Sequence, residues 1–373
     1  MRHNKILDTL LLKPLSVIYG SIVYLRNQFF EWGILKQHSF DIPVLAIGNL
    51  SVGGTGKTPH TEYIVETLKN EYHIGVLSRG YRRKTKGFIL ASKKSTPWEI
   101  GDEPYQIFQK FGNDVRVAVC EKRVKGIKEL LRMDPKIDLI VLDDAFQHRY
   151  VKPSTSIVLM EWNRPIYNDE LLPLGRLREP QRSILRTDMV IVTKCPDEVR
   201  PVDVRLIYEH LGLFAYQKVF FSRYAYGNLV SVFPGEVCYM PNIASMTRDD
   251  AVLAVTGIAN PSPLLRHLKA HNMKVEELRY PDHHQFSKRD FEEIRKKFNK
   301  MTGTNKYIIT TEKDSVRLAN SKNYPAELKA ATFYLPIKVD ILPHKMPLDS
   351  DSFDRELRKL LKRQNDEMLQ NNS

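Results

Sequence analysis

Cysteine is scarce in this sequence. Cys120, Cys195 and Cys238 lie far apart among 373 residues and share no paired spacing, which argues against a disulfide framework or a zinc site and fits a reducing compartment. Long apolar runs are missing too: no uncharged stretch approaches the roughly 20 residues that span a bilayer. The most apolar segment, residues 5–35, is interrupted by Asp8, Lys13, Arg26 and Glu31. Lys13 and Pro14 also break what would be the core of a secretory signal, and no small-residue cleavage site follows. Zinc-finger spacing and aromatic RNA-binding signatures are absent, so nucleic acid is not an expected partner. A guanine-specific [NT]-K-x-D is absent as well. In "TKCP" (193–196) Pro196 stands where Asp belongs and Asp197 comes one residue late. That argues against a GTPase and leaves ATP.

Positive charge is abundant. The net charge of +13 points to an anionic partner, such as a phosphorylated substrate or an acidic membrane surface. Hydrophobic content of 42% is enough for a substantial core. Segment 1–38 reads as a helix with two possible settings. It packs on the protein, the simpler reading from composition, or it lies in a membrane interface with Tyr19, Tyr24, Phe29, Phe30 and Trp32 at headgroup level.

From residue 39 to 221, apolar runs suited to buried strands alternate with helical patterns. The runs are "IPVLAIGNL" (42–50), "HIGVLSRGY" (73–81), "IDLIVLDDAFQH" (137–148), "STSIVLMEW" (154–162) and "TDMVIVTKCP" (187–196). "EPYQIFQKF" and "RVKGIKELLRM" supply helices between them. This is the pattern of a doubly wound parallel α/β sheet, whose ligands sit at the carboxyl ends of strands. "SRYAYGNLVSV" (222–232) reads as a linker or hairpin. Residues 222–348 then form a second, smaller α/β unit, with strands in 251–261, 274–286 and 306–314. The charged, Asn-rich tail 349–373 reads as a solvated, fraying helix.

"IGNLSVGGTGKTPHTEY" (47–63) nearly spells a phosphate-binding loop, G-x-x-x-x-G-K-[ST], with Ser51 in the first position. Gly53, Gly54 and Gly56 let several backbone N–H groups converge on one anion. Lys57 brings charge to the β and γ phosphates, and the Thr58 hydroxyl is a Mg²⁺ ligand. Downstream, "LIVLDD" ends an apolar strand in Asp143 and Asp144. Such carboxylates hold Mg²⁺ in Walker B elements, although a helix N-cap is the plainer alternative. Asp102 and Glu103 of "GDEP" read as a helix cap with first-turn acids, or as a base for a hydroxyl proton. "PDHH" offers His283 and His284 without a metal-ligand spacing. Arg176, Arg178 and Glu179 sit in "LLPLGRLREP", and Arg79, Arg82, Arg83, Lys84 and Lys86 in "SRGYRRKTKG"; both are anion clamps or solvated basic loops.

In order along the chain stand "AIGNLSVGGTGKTP", "LSRGY", "GDEP", "DDAFQH", "LLPLGRLREP", "VTKCP", "GIANP", "PDHH" and "TTEKD". With this set, the sequence resembles the tetraacyldisaccharide 4′-kinase (lipid A 4′-kinase) family, from about residue 40 to 314 and at the N-terminal helix. The resemblance implies a P-loop NTPase-like kinase domain, a smaller α/β domain joined by a strand linker, and a site in the cleft. It implies transfer of the γ-phosphate of ATP, with Mg²⁺, to the 4′-hydroxyl of a tetraacylated glucosamine disaccharide 1-phosphate. It also implies a helix on the cytoplasmic face of the bacterial inner membrane, and no obligate protein partner.

Carried over by motif, the resemblance implies the following roles: Ser51, Val52, Gly53, Gly54, Thr55, Gly56, Lys57 and Thr58 make the ATP-binding set. Asp102 is the catalytic base and His283 its partner. Lys57, Arg178 and Arg123 are catalytic cations. Thr58, Asp143, Asp144 and Glu179 form the metal set, and Glu103, Gln147 and His148 are further site residues. Ala145 departs from the family, where many members carry Gly. Outside this resemblance, the same loop and Walker B pair suit an ATP-dependent ligase or a nucleotide-dependent chaperone switch.

Overall fold

The computed structural model describes residues 8–237, 239–271, 273–282, 284–343 and 352–371. In it the apolar runs become strands, because a run buried on both faces pairs most readily inside a parallel sheet. In chain order these are β1 (Val44–Asn49), β2 (Ile74–Ser78), β3 (Ile89–Leu90), β4 (Arg116–Val119), β5 (Leu139–Asp143), β6 (Thr155–Glu161), β7 (Met189–Thr193) and β8 (Lys218–Tyr226). The helices among them are α1 (Lys13–Glu31), α2 (Lys57–Leu68), α3 (Asp102–Phe111), α4 (Arg123–Met133) and α5 (Pro201–Leu211). Further on come β9 (Val230–Ser231), β10 (Asp250–Thr256), α6 (Ser262–Lys269), β11 (Lys274–Arg279), α7 (Lys288–Lys300), β12 (Asn305–Thr311), α8 (Glu312–Ala319), β13 (Thr332–Leu335), β14 (Ile337–Ile341) and α9 (Phe353–Asn371).

The chain divides into two compact units. The first takes residues 1–94, 107–224 and 339–373, and the second takes 95–106 and 225–338. Among the described residues the larger sheet has nine strands in the order β14-β8-β7-β6-β1-β5-β2-β4-β3. From β8 to β4 every neighbouring pair is parallel, and β3 closes the edge antiparallel. Alternate residues of β1 face opposite layers. Leu45 and Ile47 pack with Ile64, Val65 and Leu68 of α2. Val44 and Ala46 pack with Ile127 and Leu130 of α4. The order reverses at β1, whose carboxyl end opens into the loop 50–56, so the crevice expected of a doubly wound sheet lies at that loop.

The second unit holds a five-stranded sheet in the order β11-β10-β12-β13-β9. Only β9 runs antiparallel to its neighbour. The 222–232 segment is therefore a linker and not a hairpin: β8 ends in one sheet and β9 begins in the other. β4 escapes the sequence reading because its apolar part is three residues long and follows Arg116.

Two segments depart from expectation. The tail is not merely solvated. Phe353, Leu357 and Leu361 of α9, spaced four apart, are buried in the main core beside Phe220 and Leu45. The charged residues between them masked that stripe. Helix α1 is two-sided. Ser16, Asn27 and Phe30 are buried against the first unit, while Val17, Ile18, Ile22, Leu25 and Trp32 are exposed, Trp32 at 62%. Among the described residues no helix is long and apolar enough to cross a membrane.

Leu357→Ala should lower unfolding stability by about 3 kcal/mol, since a fully buried leucine leaves a cavity. The exposed Lys362→Ala should leave the urea midpoint nearly unchanged.

Candidate functional site

The loop after β1 is held by its neighbours along its whole length. The Leu50 carbonyl accepts from the Arg178 N–H (2.7 Å), and the Val52 N–H donates to the Arg176 carbonyl (2.8 Å). Ser51 forms an antiparallel bridge with Leu177. The first loop position is thus extended backbone, which any residue adopts, and Ser51 needs no glycine there. Glycine is required at Gly53 (φ 118°) and Gly56 (φ 96°). A Cβ at Gly56 would also collide with the Tyr224 hydroxyl. Gly54 has neither constraint, so two glycines and not three set the turn.

Further bonds hold the loop's later carbonyls and the Thr55 side chain. Asn49 Nδ2 donates to Thr55 Oγ1 (2.8 Å), and Thr193 Oγ1 donates to the Thr55 carbonyl (2.8 Å). Lys194 Nζ bridges the Gly54 carbonyl (2.5 Å) and Glu161 Oε1 (3.0 Å). His60 supports the loop from below. Its Nδ1 faces the Gly56 carbonyl at 2.7 Å and so carries the proton, and its Nε2 accepts from Ser222 Oγ at 2.9 Å. Burial lowers the His60 pKa to about 4.

The two aspartates after β5 differ sharply. Asp143 is buried and accepts from Thr61 Oγ1 at 3.0 Å. Asp144 has left-handed backbone (φ 48°) and a partly exposed carboxylate. Lys57 Nζ lies 3.7 Å from it and Arg178 Nη1 3.3 Å. The strained backbone falls on Asp144, and Ala145 is not among the positive-φ residues, so its backbone does not call for the Gly that the resemblance leads one to expect there. Gln147 ties the site together. Its side chain donates to the Asn49 carbonyl (2.7 Å) and accepts from Arg178 (3.4 Å), while its own carbonyl accepts from Arg26 of α1 (2.8 Å).

Arg123 is 2% exposed, with Nη2 at 3.5 Å from the Asp143 carbonyl. Burial lowers its pKa to about 10, opposed by Asp143 and Asp144, so it remains a cation at neutral pH. Burial, with Arg123, Arg26 and Arg79 nearby, lowers His148 to about 4. It is neutral in the physiological range.

Glu179 is 1% exposed. Its Oε2 accepts from Arg186 (2.7 Å) and from Asn27 of α1 (3.1 Å), which anchors the helix. Its Oε1 is buried without a hydrogen-bond partner among the described residues. Thr58, Asp143 and Asp144 offer hard oxygen donors. Among the described residues no group of three or more His, Cys, Asp or Glu is placed to hold a metal ion. That donor set fits Mg²⁺, which takes one or two carboxylates plus phosphates and keeps several waters.

Asp102 and Glu103 belong to the second unit. Asp102 opens α3 and is bound by Arg317 of α8, with Nη2 at 2.6 Å and Nε at 3.1 Å from Oδ2. Glu103 pairs with Lys313 at 3.4 Å. His283 lies outside the described residues. His284 bonds Asp290 (3.0 Å) in the cap of α7 and stacks on Tyr280, a structural role. Arg83 is likewise structural, paired with Glu121 at 2.6 Å.

Sequence reasoning passed over Asn49, His60, Thr61, Glu161, Thr193, Lys194 and Arg317. One signal was present: "TKCP" was weighed for its missing Asp, whereas its Thr and Lys hold the loop.

A sequence profile for a family described as tetraacyldisaccharide-1-P 4′-kinase (LpxK) matches residues 9–361. The tetraacyldisaccharide 4′-kinase of Bacteroides thetaiotaomicron is 46% identical over 353 residues, covering 93% of this chain and 91% of that protein. The enzyme of the same name from Parabacteroides distasonis is 47% identical over 333 residues, 88% and 89% of the two chains. The crystal structure of LpxK from Aquifex aeolicus in complex with ATP matches with a TM-score of 0.71 at 28% identity. The match covers 96% of this chain and 99% of that one.

Neutral His60 has a pH signature. Below pH 6.5 the unfolded chain binds a proton that the folded protein refuses until about pH 4. Stability therefore falls as pH drops through that window, by about 1.4 kcal/mol per unit from this group. His60→Gln should flatten the fall in denaturation midpoints between pH 6.5 and 4. Equal slopes in the two proteins would contradict the buried neutral assignment.

Proposed function

This chain belongs to the tetraacyldisaccharide 4′-kinase family, and from that premise we propose how its residues share the reaction. It is an ATP-dependent kinase of lipid A biosynthesis, phosphorylating the 4′-hydroxyl of a tetraacylated glucosamine disaccharide 1-phosphate. The observation that carries the division of labour is the convergence of Lys57 and Arg178 on Asp144 beside a loop paired with the 176–178 segment.

In phosphoryl transfer the protein's work is positioning and charge stabilisation. Residues 51–58 cradle the phosphates of ATP, with Lys57 on the β and γ groups. Arg178 and the buried Arg123 hold the negative charge that spreads over the transferring oxygens. Thr58, Asp143 and Asp144, with the unpartnered Glu179 oxygen, would hold Mg²⁺, which neutralises phosphate charge when bound. Gln147 orients Arg178, and neutral His148 lies in the same pocket of charge without adding to it. Asp102 takes the proton of the 4′-hydroxyl late in the transfer, as an alcohol far too weak to ionise at neutral pH requires. His283 is its proposed partner, and Glu103 is a flanking carboxylate.

The exposed apolar side of α1 supports a seat on a membrane surface, where an acylated substrate resides. A groove lined by Val17, Gly20, Tyr24, Leu25 and Leu171 on the first unit runs beside it. The net charge of +13 favours anionic lipid.

Incubation with γ-labelled ATP and the disaccharide 1-phosphate should give a labelled bis-phosphorylated lipid, and absence of label transfer would defeat the assignment. Asp102→Ala should lower kcat by about 10²-fold or more while ATP affinity holds; lost ATP binding would indicate a structural role instead. Replacing Ile18, Ile22 and Trp32 together by Ser should abolish co-sedimentation with anionic vesicles. Retained sedimentation would rule out α1 as the anchor.

A further inference from the structure

The "TTEKD" stretch (310–314) has no part in the reaction as described so far, yet it builds a buried, hydrogen-bonded polar cluster in the second unit. β12 ends and α8 begins there. Thr311 caps the helix: its Oγ1 accepts from the Asp314 N–H (3.1 Å) and donates to Asp314 Oδ2 (2.7 Å). Asp314 Oδ2 also accepts from the Gly257 N–H (2.8 Å). The Asp314 side chain is wholly buried, and its Oδ1 accepts from Arg317 Nη1 at 2.9 Å. The same nitrogen reaches the Gly257 carbonyl at 3.3 Å.

One end of the Arg317 guanidinium is therefore locked to a rigid strand–helix junction. Because the group is a planar fork, fixing Nη1 fixes the direction of the opposite edge. On that edge both Nε and Nη2 donate to Asp102 Oδ2. The Arg317 side chain is 3% exposed and that of Asp102 16%, so a buried cation holds a partly buried carboxylate. One turn back on α8, Lys313 holds the adjacent Glu103.

We propose that Arg317, braced by Asp314, is a positioning residue for Asp102: by clamping Oδ2 it sets the plane of the carboxylate and the aim of Oδ1. This rests on the reading of Asp102 as the base. A proton-accepting carboxylate works only from a defined geometry, and misplacement by about 1 Å costs on the order of 10²-fold. A pair kept for stability alone has little reason to be ionic, since well-packed apolar residues serve as well or better. The cost of ordering Asp102 is thus met by the fold before substrate arrives.

The test is a double-mutant cycle on kcat with Asp102→Asn and Arg317→Met, using full-length protein, ATP and the acylated disaccharide 1-phosphate. Arg317→Met alone should lower kcat by about 10- to 100-fold with KM for ATP within about twofold. Arg317→Lys, which keeps the charge without the fork, should fall between. In the Asp102→Asn background the Arg317 substitutions should cost nothing further, because they act through the same carboxylate. An equal loss in both backgrounds overturns the inference while leaving Asp102 as the base. Full turnover by Asp102→Asn defeats the base reading itself. Should Arg317→Met fail to melt cooperatively, the cycle is read from Arg317→Lys, whose charge keeps Asp314 paired.

Discussion

Two backbone hydrogen bonds, between Leu50 and Arg178 and between Arg176 and Val52, govern the geometry of the site. They turn the start of the phosphate loop into a short antiparallel ladder with the 176–178 segment. Leu50 and Leu177 bury their side chains in one cluster with Phe146, so the ladder is backed by apolar packing. Once that pairing exists, Arg178 must emerge beside Asp144 and Gln147. The loop cannot drift from the cation that serves it, because backbone hydrogen bonds tie the two segments together. The first loop position is also relieved of the need for glycine.

The same segment carries the N-terminal helix. Tyr19 donates to the Arg178 carbonyl, Ser16 to the Leu171 carbonyl, and Asn27 to Glu179. Arg26 adds the bond to the Gln147 carbonyl. The polar residues of α1 thus bind the carbonyls and carboxylate of the loops that hold the phosphate site, while Val17, Ile18, Ile22 and Leu25 remain outside. The two settings weighed for this segment are not exclusive. A 19-residue helix has room for one face of each kind.

Charge in this protein is often buried but seldom without support. Arg123 leans on the Cys120 carbonyl and the field of two aspartates, Arg186 on Glu179, and Arg317 on Asp314 and Asp102. Guanidinium suits these places because it stays charged when desolvated and its fixed fork converts burial into direction. The histidines behave oppositely. His60 and His148 lose their charge on burial, and His60 becomes a neutral strut under the loop.

The sequence alone determined the elements whose signals are local. Apolar runs bounded by turns marked the central strands, and Gly53, Gly56, Lys57 and Thr58 marked the phosphate loop. The ordered motifs pointed to the family. Local patterns failed where stabilisation came from distant partners. The core stripe of α9 is diluted by charges and is recognisable only once Phe353, Leu357 and Leu361 meet the sheet. "TKCP" revealed its role only when Lys194 reached Gly54, 140 positions away. Arg317 is an unremarkable helical arginine until the fold brings Asp102, 215 positions earlier, to its outer edge. Sequence fixes which groups are available and where backbone must bend, because propensity and periodicity act over a few residues. Which carboxylate meets which cation was decided by tertiary structure alone, because burial and pairing depend on neighbours that chain order does not reveal.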